Sequence, residues 1–225
     1  MSNITLIMTR KPLEEVNFGK KNGRWGRMVV VMGGEVLSGS VEAPMNLPDV
    51  FSPSATTNAG GAFTDYTDSE NTCGEGTTKF RIGSQGIRLD TFGGPVEVIG
   101  RFDILERFRT DSDKSKFYVQ LKPRTYKPYQ IKMDISKTVK ELNGTGQCFR
   151  VLNHDTMNSK GGMAGILIHE APHPGWLIGC IGPRPANYRF VNHDKGPSRS
   201  AMQSIFNMMG GFKSGKKAEL LTLDI

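Results

Sequence analysis

Two side chains in the last third of the chain have the types and spacing for covalent catalysis. They are His169 and Cys180, within Gly165-Ile-Leu-Ile-His169-Glu-Ala-Pro-His173-Pro-Gly-Trp176-Leu-Ile-Gly179-Cys180-Ile181-Gly182. A cysteine attacks as its thiolate, and a nearby imidazole both lowers the thiol pKa and carries its proton. The base must come within hydrogen-bond reach, about 2.6–3.2 Å between heavy atoms. Bare backbone beside Cys180 leaves room for a substrate carbonyl, and the N–H groups from Gly179 through Ile181 are candidate oxyanion donors. Such a set suits acyl transfer at an amide. His173, Trp176 and Arg184 are candidate substrate contacts. Neither Cys73 nor Cys148 has a histidine pattern around it, and both read as non-catalytic. His154 and His193, each followed by an aspartate, read as solvated loop residues. With three widely spaced cysteines and no Cys/His cluster, neither a disulfide framework nor a metal is expected, and no cofactor is expected.

Positioning those groups requires a particular local fold. The run Ile166–Ile168 reads as a buried strand that delivers His169 at its end. Pro172, Pro174 and Gly175 force a turn, and Trp176–Ile181 reads as the returning strand carrying Cys180. Around this stretch the chain reads as β-rich. Ile4–Thr9 is a first strand, Lys11–Gly26 a polar loop, and Arg27–Met32 a buried strand turning at Gly33-Gly34 into Glu35–Val41. From Glu42 to Thr78 prolines, glycines and small polar residues indicate a long loop. Strand character returns at Lys79–Ile82, Gly86–Leu89, Val96–Ile104, Phe117–Leu121, Tyr129–Met133, Cys148–Leu152 and Glu219–Asp224, as expected of an antiparallel β protein. Ser136–Leu142 reads as a short helix. Ser198–Met209 reads as a longer one, with Ser198 as its cap and Met202, Ile205, Phe206 and Met209 on its buried face.

Composition bounds the partners. The 225 residues carry a net charge of +7 and are 37% hydrophobic, ordinary for a soluble fold. No apolar run approaches the roughly 20 residues of a membrane span. The first residues lack a signal-peptide pattern, so synthesis in the cytoplasm is expected. Charge is uneven. Residues 45–79 have Asp49, Asp65, Asp68, Glu70 and Glu75 against Lys79, net −4, whereas residues 160–217 total +6. A basic half around the thiol suits an anionic substrate. Nucleic acid is not expected, since no nucleic-acid-binding motif is present.

The Ile-His169 opening, followed by Gly179-Cys180-Ile181, resembles the active-site segment of the L,D-transpeptidase-like superfamily. It is most similar to the short variant of unknown function found in phage and effector loci. The hairpin-like start at Met28–Val41 and the sequence after Gly182, leading to Ser198-Arg-Ser-Ala-Met, are also similar. The resemblance covers residues 27–44 and roughly 148–223, with 45–147 as a large insertion in a single domain spanning 1–225. It implies a mainly β sandwich or barrel in which Cys180 attacks a peptidoglycan stem peptide and His169 is the base. Transpeptidation or cleavage would follow, in a virion or in the periplasm after delivery through virion or secretion-machine proteins. The characterised enzymes have Ser-His-Gly-Cys where this chain has Leu177-Ile178-Gly179-Cys180, and an arginine where it has Gly182. An alternative expectation is a non-catalytic tail or baseplate component that keeps the fold as a scaffold.

Overall fold

In the computed structural model, which describes residues 3–33, 40–42, 77–82, 87–93, 96–107, 121–157 and 162–224, the chain is mainly β. Strands β1 (Ile4–Phe18) and β2 (Lys21–Gly33) come first. Next, β3 (Ser40–Glu42), β4 (Thr77–Ile82) and β5 (Ile87–Gly93) form a small sheet of their own. The remaining strands are β6 (Val96–Arg107), β7 (Arg124–Ile135), β8 (Gln147–Val151), β9 (Leu167–Ile168), β10 (Ile181–Pro185) and β11 (Lys217–Asp224). Together with β1 and β2 they close a barrel in the order β1-β11-β7-β8-β9-β10-β6-β2. The pairs β1–β11 and β9–β10 are parallel, and the other barrel pairs are antiparallel.

Successive side chains on a strand face opposite sides. Leu6, Met8, Met28, Val30, Ile104, Ile131, Phe149, Ile168 and Ile181 accordingly share the barrel interior. Among the described residues two α-helices complete the fold, α1 (Lys137–Asn143) and α2 (Gly196–Met208). Helix α1 starts where Ser136 Oγ accepts from Val139 N and stops at Gly144, whose φ of +85° suits glycine. The apolar face of α2 (Met202, Ile205, Phe206) joins the interior cluster, with the Phe206 ring 4.9 Å from Phe149. Burying each of these side chains contributes about 1.5–3 kcal/mol, which anchors α2 to the barrel. Farther along the same inward rows, Arg10, Arg24 and Glu106 form a buried ion cluster.

The structure corrects several local expectations. Lys11–Gly26 is not a loop: β1 and β2 run on as a ribbon whose last pair is Phe18 with Lys21. Residues 14–20 alternate between half-buried and exposed with little apolar content, so hydrophobic alternation is too weak to mark them. The turn expected at Gly33-Gly34 does not make a hairpin of β2 with β3. Instead β2 pairs with β1 and β6, while β3 pairs with β5. The span 45–147 is not set apart as a whole, because β6 and β7 are staves of the barrel. Most of the acidic stretch 45–79, including Cys73, and most of the strand expected at Phe117–Leu121 lie outside the described residues.

Candidate functional site

The residues on either side of the expected turn do come together, by a different route. Strands β9 and β10 are parallel neighbours with Ile168 beside Ile181, and His169 N donates to Ile181 O at 3.0 Å. A strand that folds straight back would be antiparallel. Here residues 169–180 cross over instead, through a 3-10 turn at Pro174–Trp176, and β10 begins only at Ile181. Gly179 takes the left-handed region with φ +80°, which lets the chain swing Cys180 into line.

Register and alternation assign the faces. Ile168 and Ile181 point into the barrel, so the positions before and after them face outward. Cys180 lies beside Leu167 on that outer face, and both belong to a second apolar cluster with Trp25, Leu105, Val139, Cys148, Ala171 and Leu177. His169, two residues beyond Leu167, occupies the next outward position. Strands lie about 4.8 Å apart and rise about 3.3 Å per residue, so the Cα atoms of Cys180 and His169 are about 8 Å apart.

The imidazole is held in one tautomer. His169 Nδ1 lies 2.8 Å from Glu170 O, and a carbonyl can only accept, so Nδ1 carries the proton and Nε2 keeps its lone pair. The residue is 2% exposed, and burial pushes its pKa below the ordinary 6.5, opposed by that same carbonyl contact. Neutral imidazole is the form a general base requires. The Glu170 carboxylate is itself fixed by the Arg199 guanidinium through two 3.2 Å contacts.

The sulfur faces the other way. Cys180 is 8% exposed, and its thiol donates to Gly165 O at 3.9 Å, on the far side of Leu167 from His169. Burial pushes its pKa up to about 11, only partly offset by backbone contacts from Leu167 and Ile178. Among the described residues no hydrogen bond joins the thiol to the His169 ring; each is bonded to its own carbonyl. Ile181 is held in strand pairs with both Ile168 and Glu106, which leaves Gly179 and Cys180 as the backbone of this loop outside the ladders.

The remaining candidates divide. His173 and Trp176 stand at the 3-10 turn, where His173 Nδ1 accepts from Gly175 N at 3.2 Å. Arg184, the third candidate substrate contact, is buried. It is 1% exposed, its Nη1 donates to Pro183 O at 3.4 Å, its Nη2 has no partner, and burial lowers its pKa to about 10. His154 is likewise buried rather than solvated. Ser198 is no cap, since the cap position of α2 is Lys195. Instead the Ser198 hydroxyl accepts from Ala171 N at 3.0 Å and donates to Pro183 O at 2.8 Å. It thereby ties α2 to both segments that carry the candidate pair.

One neighbour went unnoticed in the sequence. The antiparallel register of β8 with β9 pairs Phe149 with Ile168, so the next step sets Cys148 beside His169. Its thiol donates to Asp134 O at 3.4 Å, and burial pushes its pKa up to about 11. No local pattern marks this, because the pairing joins residues twenty-one positions apart. Fold and site thus define an eight-stranded barrel with an imidazole and two protonated thiols on one outer face. Comparison with protein-family models, curated proteins and solved structures finds no match. The likeness to L,D-transpeptidases accordingly rests on the motif residues alone.

Proposed function

We propose that the chain is a cysteine-dependent acyl transferase or amidase, with Cys180 as nucleophile and His169 as base. The observation that carries this reading is the parallel register that sets the two on one face of adjacent strands, with His169 Nδ1 committed to Glu170 O. The resting sulfur is a thiol turned toward Gly165 O. The step requires a rotation about χ1 of Cys180 that brings the sulfur to Nε2, which then takes the proton as sulfur bonds to the substrate carbonyl carbon. The leaving amine departs with that proton, and water or a second amine releases the acyl group. The substrate class, peptidoglycan stem peptide, comes from the resemblance of the motif, as does delivery by a virion or a secretion machine. Release or exchange of D-alanine from muropeptides should be seen with the wild-type chain and vanish in Cys180→Ala. Equal turnover by both, or none by either, ends the proposal.

A second reading is favoured by one observation, the sealed thiol. A cysteine with its pKa near 11 and its S–H on a backbone carbonyl behaves as a small buried hydrophobe. On that reading the barrel is a non-catalytic virion scaffold, and Cys180→Ala assembles as the wild type does. A loss of assembly in that variant would count against it.

A further inference from the structure

Three segments that share no strand ladder meet at the rim of the thiol layer. Phe18, at the tip of the β1–β2 ribbon, stacks on His173 with centroids 4.3 Å apart and planes 18° apart. His193, on the segment leading to α2, stands edge-on to both, 5.0 Å from Phe18 and 5.4 Å from His173. Each ring-bearing segment also sends an apolar neighbour onto the cluster that contains Cys180. The ribbon supplies Val16, the turn Trp176 and Leu177, and the third segment Val191. The rings therefore hold the edges of a cover whose underside lies on the cluster that includes Cys180.

We propose that the Phe18–His173–His193 stack is a proton-operated latch, closed at neutral pH and opened by acid, that controls access to Cys180. Two structural features give it this property. First, His173 Nδ1 accepts from Gly175 N and so caps the 3-10 turn. A proton placed on Nδ1 abolishes that bond and leaves two N–H groups facing each other. Second, among the described residues the charged groups that act on the His173 ring are His193 and Arg184, neither of which can pair with an imidazolium. Lys21 comes from β2, its Cγ 3.6 Å from where a Gly175 side chain would start. Arg184 comes from β10, and Lys195 lies over the Trp176 ring at 4.8 Å. Of the carboxylates, Asp194 accepts from Gly196 N, Glu170 is held by Arg199, Glu14 by Arg189, and Glu15 is an exposed residue opposite Arg24 in the ribbon register. Burial, then His193 and Arg184, lowers the pKa of His173 in the closed state. Protons are thus bound more readily by the open state, and acid favours opening. The latch rests on the Cys180 reading for its purpose, while its opening is measured separately.

The test is thiol labelling of the full chain with 4,4′-dithiodipyridine, which reacts in acid, with each cysteine resolved by peptide mass mapping. Rates are taken relative to glutathione at about pH 7.5 and about pH 5, either side of the ordinary histidine range. Cys180 should label about tenfold faster at the lower pH, as expected for one proton-linked opening. In His173→Phe, which keeps a ring on Phe18 but cannot charge, the rise should fall below about twofold. His173→Asn, whose side-chain oxygen can accept from Gly175 N but which cannot charge, serves if that variant does not fold. Equal rises in wild type and variant overturn the latch, as does no rise in wild type. Cys148, fully buried in the same cluster, should stay slow; if it accelerates in step with Cys180 the opening is global and the latch is overturned. Loss of D-alanine release with an intact labelling switch would sink only the catalytic reading. The converse result would sink only the latch.

Discussion

Ser198→Ala separates two roles for one hydroxyl by magnitude. A helix cap replaced by alanine costs about 1 kcal/mol. The structure sets a larger loss, because the hydroxyl is fully buried and serves two segments. Without it, Ala171 N–H is left buried with no acceptor at 3.0 Å, while Pro183 O keeps only the weaker 3.4 Å contact from Arg184. An orphaned buried donor costs about 1–3 kcal/mol and a half-satisfied acceptor adds to that, so the sum is roughly 2–4 kcal/mol. For a chain of this size the loss corresponds to a fall in Tm of roughly 4–16 °C. Urea unfolding and calorimetry on wild type, Ser198→Ala and Ser198→Thr measure it, the threonine variant retaining a hydroxyl. A loss near 1 kcal/mol, with Thr no better than Ala, would restore the cap reading and refute the tie between α2 and the site.

Other outcomes follow from burial and close approach. His169 and His154 are both buried, which holds each imidazole below its ordinary 6.5. The unfolded chain therefore binds more protons in acid, and stability is complete above about pH 6.5 and is lost as pH falls through the folded-state values. The urea midpoint should drop across that window and drop less in His154→Gln; a flat profile in the wild type contradicts the burial argument. At Gly26 a Cβ would sit 2.3 Å from Thr9 O, a backbone atom, whereas at Gly100 it would meet the flexible end of Met208 at 2.5 Å. Gly26→Ala should cost roughly 1–3 kcal/mol or more, and Gly100→Ala clearly less, by equilibrium denaturation. The reverse order would show that the barrel wall yields at Gly26.

What could be read along the chain was whatever local pattern controls. Helix α1 with its Ser136 start, the buried face of α2, and strands β8 and β11 all follow from spacing and end signals within a few residues. The types and proximity of His169 and Cys180 were legible for the same reason. The ribbon of β1 and β2 was not, because its polar residues lack the alternation that burial imposes. The role of Ser198 was also hidden, since its partners Ala171 and Pro183 are distant in sequence and brought near only by the parallel pairing of β9 with β10.

By itself, then, the amino-acid order determined a β-rich chain with a histidine and a cysteine flanking a proline-bound turn. Only the closed barrel decided that these groups stand on parallel strands, that Cys148 lies beside His169, and that Cys180 points toward Gly165 under an apolar cover. The physical reason is that side-chain type and spacing act over a few residues. Strand register, and the desolvation that keeps both thiols protonated, are set by packing between segments far apart in the chain.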